Sequence, residues 1–333
     1  MRWNRQWLGL IGLSILLGVG AVPDATSRQD DGLPATEVVE PGETGRRIDE
    51  EGVFGNYFPA LSDDGGPHPA VLMLGGSEGG LGLGAHVMAL DLQRRGFSVF
   101  HLSYFGAPEQ PGALERIPLE VFDKGLEWLK DQPGVDSQNI AVVGASKGAE
   151  AALLVATRRD DLRAVVAGMP SSVVWNGINW ANGGASFLTS WTAGGEDLPT
   201  MPYSFWNPSE GIISVYRSVE DPAMAEQARN AAIPIEKASS EVMLICGEAE
   251  TMWPACPMSR MVAARSAEHN GPSVTILAYE DAGHFLFGPP VPSDNPFYQQ
   301  LAAFGGTVEG NAAARADGWP RVVGFLQDAL KPR

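Results

Sequence analysis

The chain has 333 residues, 44% of them hydrophobic, and carries a net charge of −17 at pH 7. That length and apolar content suffice for a large core in one α/β domain, and the charge argues against nucleic acid or an anionic membrane as partner. Two cysteines, Cys246 and Cys256, are too few for a disulfide scaffold or a thiolate metal site.

The amino terminus has the pattern of a targeting segment. Two arginines in Met1–Arg5 precede an apolar, glycine-containing run, Trp7–Val22, with small residues Val19-Gly20-Ala21 for cleavage. Residues 1–21 are therefore expected to be a signal peptide, the protein to be exported (periplasmic or secreted), and no stable membrane association to remain after cleavage. An uncleaved anchor is the alternative. In an oxidising compartment Cys246 and Cys256 could pair, though spacing alone cannot establish their geometry. Residues 22–50 include acidic, proline- and glycine-containing Asp30–Gly45 and are expected to form a flexible leader, with the folded domain spanning 51–333.

From there strand and helix patterns alternate. Gly52–Leu61 predicts a strand before the turn cluster Asp63-Asp64-Gly65-Gly66. Ala70–Leu74 is a continuous apolar run, as a strand buried on both faces requires, and leads into Gly75-Gly76-Ser77-Glu78-Gly79-Gly80. Helix is predicted over Ala85–Arg95, strand over Phe97–Leu102, and helix over Leu119–Lys130, where Val121, Phe122, Leu126 and Leu129 recur at helical spacing. Strand Ile140–Gly144, helix Ala149–Ala156 and strands Leu162–Ala167, Val242–Cys246 and Val274–Ala278 follow. A closing helix, Ala312–Leu330, is expected to break or start at Trp319-Pro320. This alternation predicts a mostly parallel, doubly wound sheet with right-handed crossovers.

Ser171–Ser240 interrupts the pattern. It is long, rich in glycine and aromatics, and has no clear period. An insertion of that kind is expected to be a cap supplying an apolar wall to a site; a packed surface excursion is the alternative.

Gly144-Ala145-Ser146-Lys147-Gly148 is G-x-S-x-G between a predicted strand and helix, the pattern of a nucleophile elbow. The sharp turn lifts the serine hydroxyl clear of the sheet and tolerates only small residues two positions either side. Ser146 then needs an imidazole base, and a carboxylate to orient it. Of five histidines, His68 and His269 are expected at the surface, His101 as a hydrogen-bonded core residue, and His86 near the glycine loop. His284 follows the last predicted strand, where the order Ser…acid…His puts the base. The acid should follow Val242–Cys246, where Glu248 and Glu250 both qualify; Asp281, three residues before His284, would break the usual order. Oxyanion donors are expected from the N–H of Lys147 and from the glycine loop, Ser77 first and Gly76 next. The Lys147 side chain itself is expected to be a solvated or rim cation. Gly75–Gly80 lacks both the P-loop ending and dinucleotide spacing, so no cofactor and no metal is expected.

Further segments extend the pattern: Leu74–Leu81, Gly96-Phe97, Leu102–Phe105, Pro118-Leu119-Glu120 with Phe122, Ile233–Ala238, Gly247-Glu248 with Trp253, and Tyr279–His284 followed by Pro289-Pro290. Through these the chain, from about Pro69 onward, resembles the catalytic domain shared by acyl-CoA thioesterases and bile acid-CoA:amino acid N-acyltransferases. The resemblance implies an α/β-hydrolase fold with a Ser–acid–His triad that hydrolyses acyl thioesters. The family's acid lies three residues before the tryptophan, which is Glu250 here. Family thioesterases usually carry aspartate at that position. The acyltransferases use a cysteine nucleophile, so Ser146 points to water as acceptor. Animal members also have an amino-terminal β-sandwich for which this chain has little room.

The expected function is thus a serine hydrolase acting on a small-molecule acyl ester or thioester through Ser146, Glu250 and His284. A peptidase or lactonase on the same scaffold is one alternative, and a non-catalytic binding protein that retains the fold is another.

Overall fold

The computed structural model describes residues 36–50, 52–61 and 65–331. The predicted signal peptide, the first part of the predicted leader, and Asp63 and Asp64 of the predicted turn lie outside the described residues. The elements in chain order are β1 (Arg46–Glu50), β2 (Val53–Phe58), β3 (His68–Leu74), α1 (Leu83–Arg94), β4 (Ser98–Ser103), β5 (Ile117–Pro118), α2 (Glu120–Lys130), β6 (Val135–Ala145) and α3 (Lys147–Ala156). They continue with β7 (Ala164–Gly168), β8 (Asn176–Asn179), β9 (Gly184–Thr189), β10 (Trp191–Ala193), β11 (Glu196–Asp197), α4 (Ala225–Ala231), β12 (Glu241–Gly247), α5 (Ala255–Glu268), β13 (Val274–Tyr279) and α6 (Val308–Ala329).

Eight strands form the main sheet in the order β1-β2-β4-β3-β6-β7-β12-β13. The β1-β2 and β2-β4 pairs are antiparallel and the others parallel. The central strands are apolar throughout because both faces are covered. Along β6, Ile140 and Val142 pack with Leu72, Phe122 and Leu126 on the α2 side. Ala141 and Val143 pack with Val71, Met73, Leu92 and Leu326 on the side of α1 and α6. The alternation is the period of two expected of a strand. Among the described residues no helix is long and apolar enough to cross a membrane.

Three expectations change. Residues 36–50, predicted within a flexible leader, are bonded into the domain: the Val39 N–H donates to Leu81 O at 3.0 Å, Glu37 Oε2 accepts the first N–H of α1 at 2.9 Å, and β1 is the sheet's edge strand. Helix α6 runs through Pro320 without ending there. Ala316 and Pro320 are both exposed, so the carbonyl that loses its donor can turn to water. The 171–240 insertion carries regular structure: the β8–β9 hairpin, α4, and β10, which pairs with β5 and β11. Helix α5 went unnoticed in the sequence.

Candidate active site

Ser146 is the single residue between β6 and α3, with φ 55° and ψ −121°. A side chain held at positive φ costs about 1–3 kcal/mol and persists only where its surroundings impose it. Here they do. The Ser146 N–H donates to Gly168 O at 2.9 Å, and Ser146 O accepts the Ala149 N–H at 2.9 Å. The flanking glycines are required by contact: a Cβ on Gly144 would lie 2.1 Å from Gly148 O, and one on Gly148 would lie 2.2 Å from Gly75 O. The turn is so tight that the glycine loop after β3 passes directly against it.

Glu250 and His284 leave the carboxyl ends of neighbouring parallel strands, β12 and β13, where ligands of open α/β sheets gather. Glu250 Oε1 is in hydrogen-bond contact with His284 Nδ1, and the two residues are 7% and 6% exposed. Burial raises the Glu250 carboxyl above its ordinary pKa, and the facing imidazole opposes that rise. The loops are laced together, with Ala249 N–H to Ala282 O at 3.0 Å, Thr251 N–H to Phe304 O at 3.2 Å and His284 N–H to Phe304 O at 3.1 Å. Glu248 turns the other way and pairs with Arg260, while Asp281 is exposed. Among the described residues Ser146 Oγ has no hydrogen bond to His284. Such bonds are commonly long until a substrate tightens them.

The glycine loop is oriented from below and above. Tyr104 OH donates to Gly75 O at 2.7 Å, and the Trp180 indole N–H, from the insertion, donates to Ser77 O at 3.0 Å. The Gly76 N–H is taken by the Glu78 carboxylate at 2.9 Å. The N–H groups of Ser77 and Lys147 have no acceptor among the described residues. They are the two expected oxyanion donors, whereas Gly76, the next candidate, is already occupied. Glu78 was not foreseen. Its carboxyl is raised above the ordinary value chiefly by burial, and it feels the charge of His284.

The Lys147 side chain corrects its expectation. It is no solvated cation: Lys147 is 1% exposed and Nζ lies 2.8 Å from both Glu150 Oε2 and Ser190 Oγ. Glu150, also unforeseen, is wholly buried. A carboxylate inside the apolar run Ala149–Ala156, three residues after a lysine, was the available signal. Burial pushes the lysine pKa down and the glutamate pKa up, and each partner resists the other's shift.

Buried aromatic side chains run from His284 into the insertion. Trp253 stands 6.4 Å from the His284 ring, Tyr216 5.5 Å from Trp253, and Trp175 4.9 Å from Tyr216. A separate hollow of about 620 Å³ on the insertion, lined in part by Phe187, Leu198, Pro199 and Asn230, contains none of the candidate catalytic groups.

His101 is fully buried as expected, but neither ring nitrogen has a hydrogen-bond partner among the described residues, and burial pushes its pKa down to about 3. His86 packs edge-on against Phe58. Cys246 and Cys256 form a disulfide. Among the described residues no cluster of three or more His, Cys, Asp or Glu could hold a metal.

A family model described as BAAT / Acyl-CoA thioester hydrolase C terminal matches residues 117–332. The chain is 27% identical over 301 residues to bile acid-CoA:amino acid N-acyltransferase of Mus musculus, covering 88% of this chain and 67% of that protein. It is 24% identical over 320 residues to mitochondrial acyl-coenzyme A thioesterase 2 of Mus musculus, covering 93% of this chain and 66% of the relative. It thus spans about two thirds of the length of these relatives. A putative dienelactone hydrolase from Klebsiella pneumoniae superposes with a TM-score of 0.54 at 14% identity, over 82% of this chain and 92% of the other. That likeness identifies the α/β-hydrolase fold.

Proposed function

The chain belongs to the BAAT / acyl-CoA thioester hydrolase C-terminal family and is an α/β-hydrolase, and from that premise we propose that it hydrolyses an acyl ester or thioester through Ser146, His284 and Glu250. The observation that carries this reading is the buried contact of Glu250 with His284 at the carboxyl ends of the same sheet whose β6 ends at strained Ser146.

The chemistry follows from the groups present. Ser146 Oγ attacks the acyl carbon while His284 Nε2 takes its proton, and Glu250 holds the ring by Nδ1 and stabilises the imidazolium. The Ser77 and Lys147 N–H groups receive the oxyanion. Collapse breaks the bond to the leaving alcohol or thiol, which leaves with the proton from His284. Water then attacks the acyl-serine, again losing a proton to His284, and releases the carboxylic acid and free Ser146. A serine in place of cysteine favours water over an amine as the acceptor.

The substrate is a small, neutral ester or thioester with an apolar acyl group. The chain's charge of −17 opposes the approach of polyanionic coenzyme A. Lys147, which could have offered a local positive field, is neutralised by Glu150. The insertion is rich in aromatic residues, which suits an apolar acyl chain. Export, as read from residues 1–21, would also keep the protein away from coenzyme A.

Fluorophosphonate labelling followed by peptide mass spectrometry is expected to find the adduct on Ser146. A hydrolysis panel should give higher kcat/KM on neutral esters or thioesters than on the matching acyl-CoA at low salt. The gap should narrow as salt shortens the screening length to roughly 10 Å at 0.1 M. Preference for acyl-CoA at low salt would restore a plain thioesterase. A lack of turnover across the panel, with Ser146 unlabelled, would leave a binding protein.

A further inference from the structure

Directly after the proposed nucleophile stands a buried charge pair that the reaction does not consume. Lys147 Nζ is held between Glu150 Oε2, one helical turn on, and Ser190 Oγ of the insertion, each at 2.8 Å. The other Glu150 oxygen accepts the Trp191 indole N–H at 2.7 Å and the Trp175 backbone N–H at 3.2 Å. Ser190 Oγ in turn lies 3.0 Å from Trp175 O and from Asn176 O. Lys147 Nζ also sits 5.6 Å from the centre of the Trp191 ring. The bonds made by Lys147 and Glu150 either lie within the first turn of α3 or join that turn to residues 175–191 of the insertion.

This arrangement is energetically poor as a fastening. Removing two charges from water costs several kcal/mol per ion, and apolar residues of similar volume are often as stable. A lysine at the first position of a helix also opposes the helix dipole, which Glu150 in the same turn offsets. What the pair does supply is direction. Lys147 contributes the backbone N–H expected to meet the oxyanion, and its side chain is stretched between two fixed partners, so that peptide cannot rotate without breaking them.

We propose that Lys147 and Glu150 are positioning residues that tie the insertion to the nucleophile turn, so that the insertion sets the aim of the Lys147 N–H at the oxyanion. The proposal rests on the acyl-transfer reading of Ser146. On this view the insertion is part of the catalytic frame rather than a lid that lifts, and substrate enters beside it.

The test cuts the tie at its far end. Ser190→Ala leaves the Lys147–Glu150 pair whole. Glu150→Gln keeps a neutral acceptor for Trp191 and Trp175 but loses the charge. Active-site titration with a fluorophosphonate counts competent sites, so kcat on a p-nitrophenyl ester is read per site. A trifluoromethyl ketone, whose serine adduct carries an oxyanion, reports the hole independently of turnover.

Both variants should lose between ~5-fold and ~100-fold in kcat, the range a displacement of about 1 Å can produce. KM should stay within about twofold, and affinity for the ketone should fall in step with kcat. Restoring Ser190→Thr, which keeps a hydroxyl, should recover most of the loss. If kcat per titrated site and ketone affinity are unchanged while only thermal stability drops, the tie is structural and the proposal is overturned. If Ser146→Ala protein keeps the parent activity, the acyl-transfer reading has failed and takes the proposal with it.

Discussion

Glu248 and Glu250 leave the end of β12 two residues apart and face opposite ways: Glu248 reaches Arg260 at the surface, and Glu250 reaches His284 in the interior. A loop that turns between them converts two chemically identical candidates into a solvated ion pair and a buried acid–base contact.

Replacing Glu250 by glutamine should therefore lower kcat/KM by roughly three to four orders of magnitude, since losing the orienting acid leaves the base in the wrong tautomer. Glu248→Gln should change it by less than about twofold, because it removes only an exposed pair. Steady-state kinetics of the two variants decide the matter. Greater damage from Glu248→Gln would mean that the wrong carboxylate has been named.

The Cys246–Cys256 bridge closes the loop that carries Glu250 and Trp253. Constraining the unfolded chain over so short a loop stabilises by about 3 kcal/mol in the chain-entropy account. Reduction should lower the urea midpoint and depress kcat together, because the loop presenting Glu250 loses its clamp. An unchanged midpoint in protein shown by thiol counting to be reduced would sink this expectation.

Asp161 gives a pH signature remote from the site. Its carboxylate accepts from Arg159 Nε at 2.8 Å and from Lys130 Nζ at 2.8 Å, and these cations hold its pKa well below the ordinary 3.8. A depressed carboxylate contributes stability that is present above about pH 4 and is lost as pH falls through the folded-state value. With the Asp161 side chain 32% exposed, the contribution is discounted for solvent screening to about 1 kcal/mol. Asp161→Asn should be less stable than the parent at pH 7 by that amount, with the gap narrowing progressively as pH falls below about 4. A stability gap that stays constant down to pH 2.5 in urea titrations would rule the linkage out.

Much of the site was legible along the chain. The apolar runs Ala70–Leu74 and Ile140–Gly144 announce strands covered on both faces, and Gly144 and Gly148 announce a turn too tight for a Cβ, as the 2.1 and 2.2 Å approaches bear out. These are short-range matters of period and steric volume, settled within a few neighbouring residues. The tertiary structure decided what depends on distant segments meeting. Glu250 rather than Glu248 faces His284 because the loops after β12 and β13 are laced to residues 304–306. Residues 36–50 are bound to the domain because Leu81 pairs with Val38 and β2, through Phe54, pairs with β1. Lys147, beside a glycine turn in a strongly charged chain, had every local reason to face water. It is buried because Ser190 and Trp191 arrive from more than forty residues away to surround it, and no local pattern encodes which surface a folded chain will later cover.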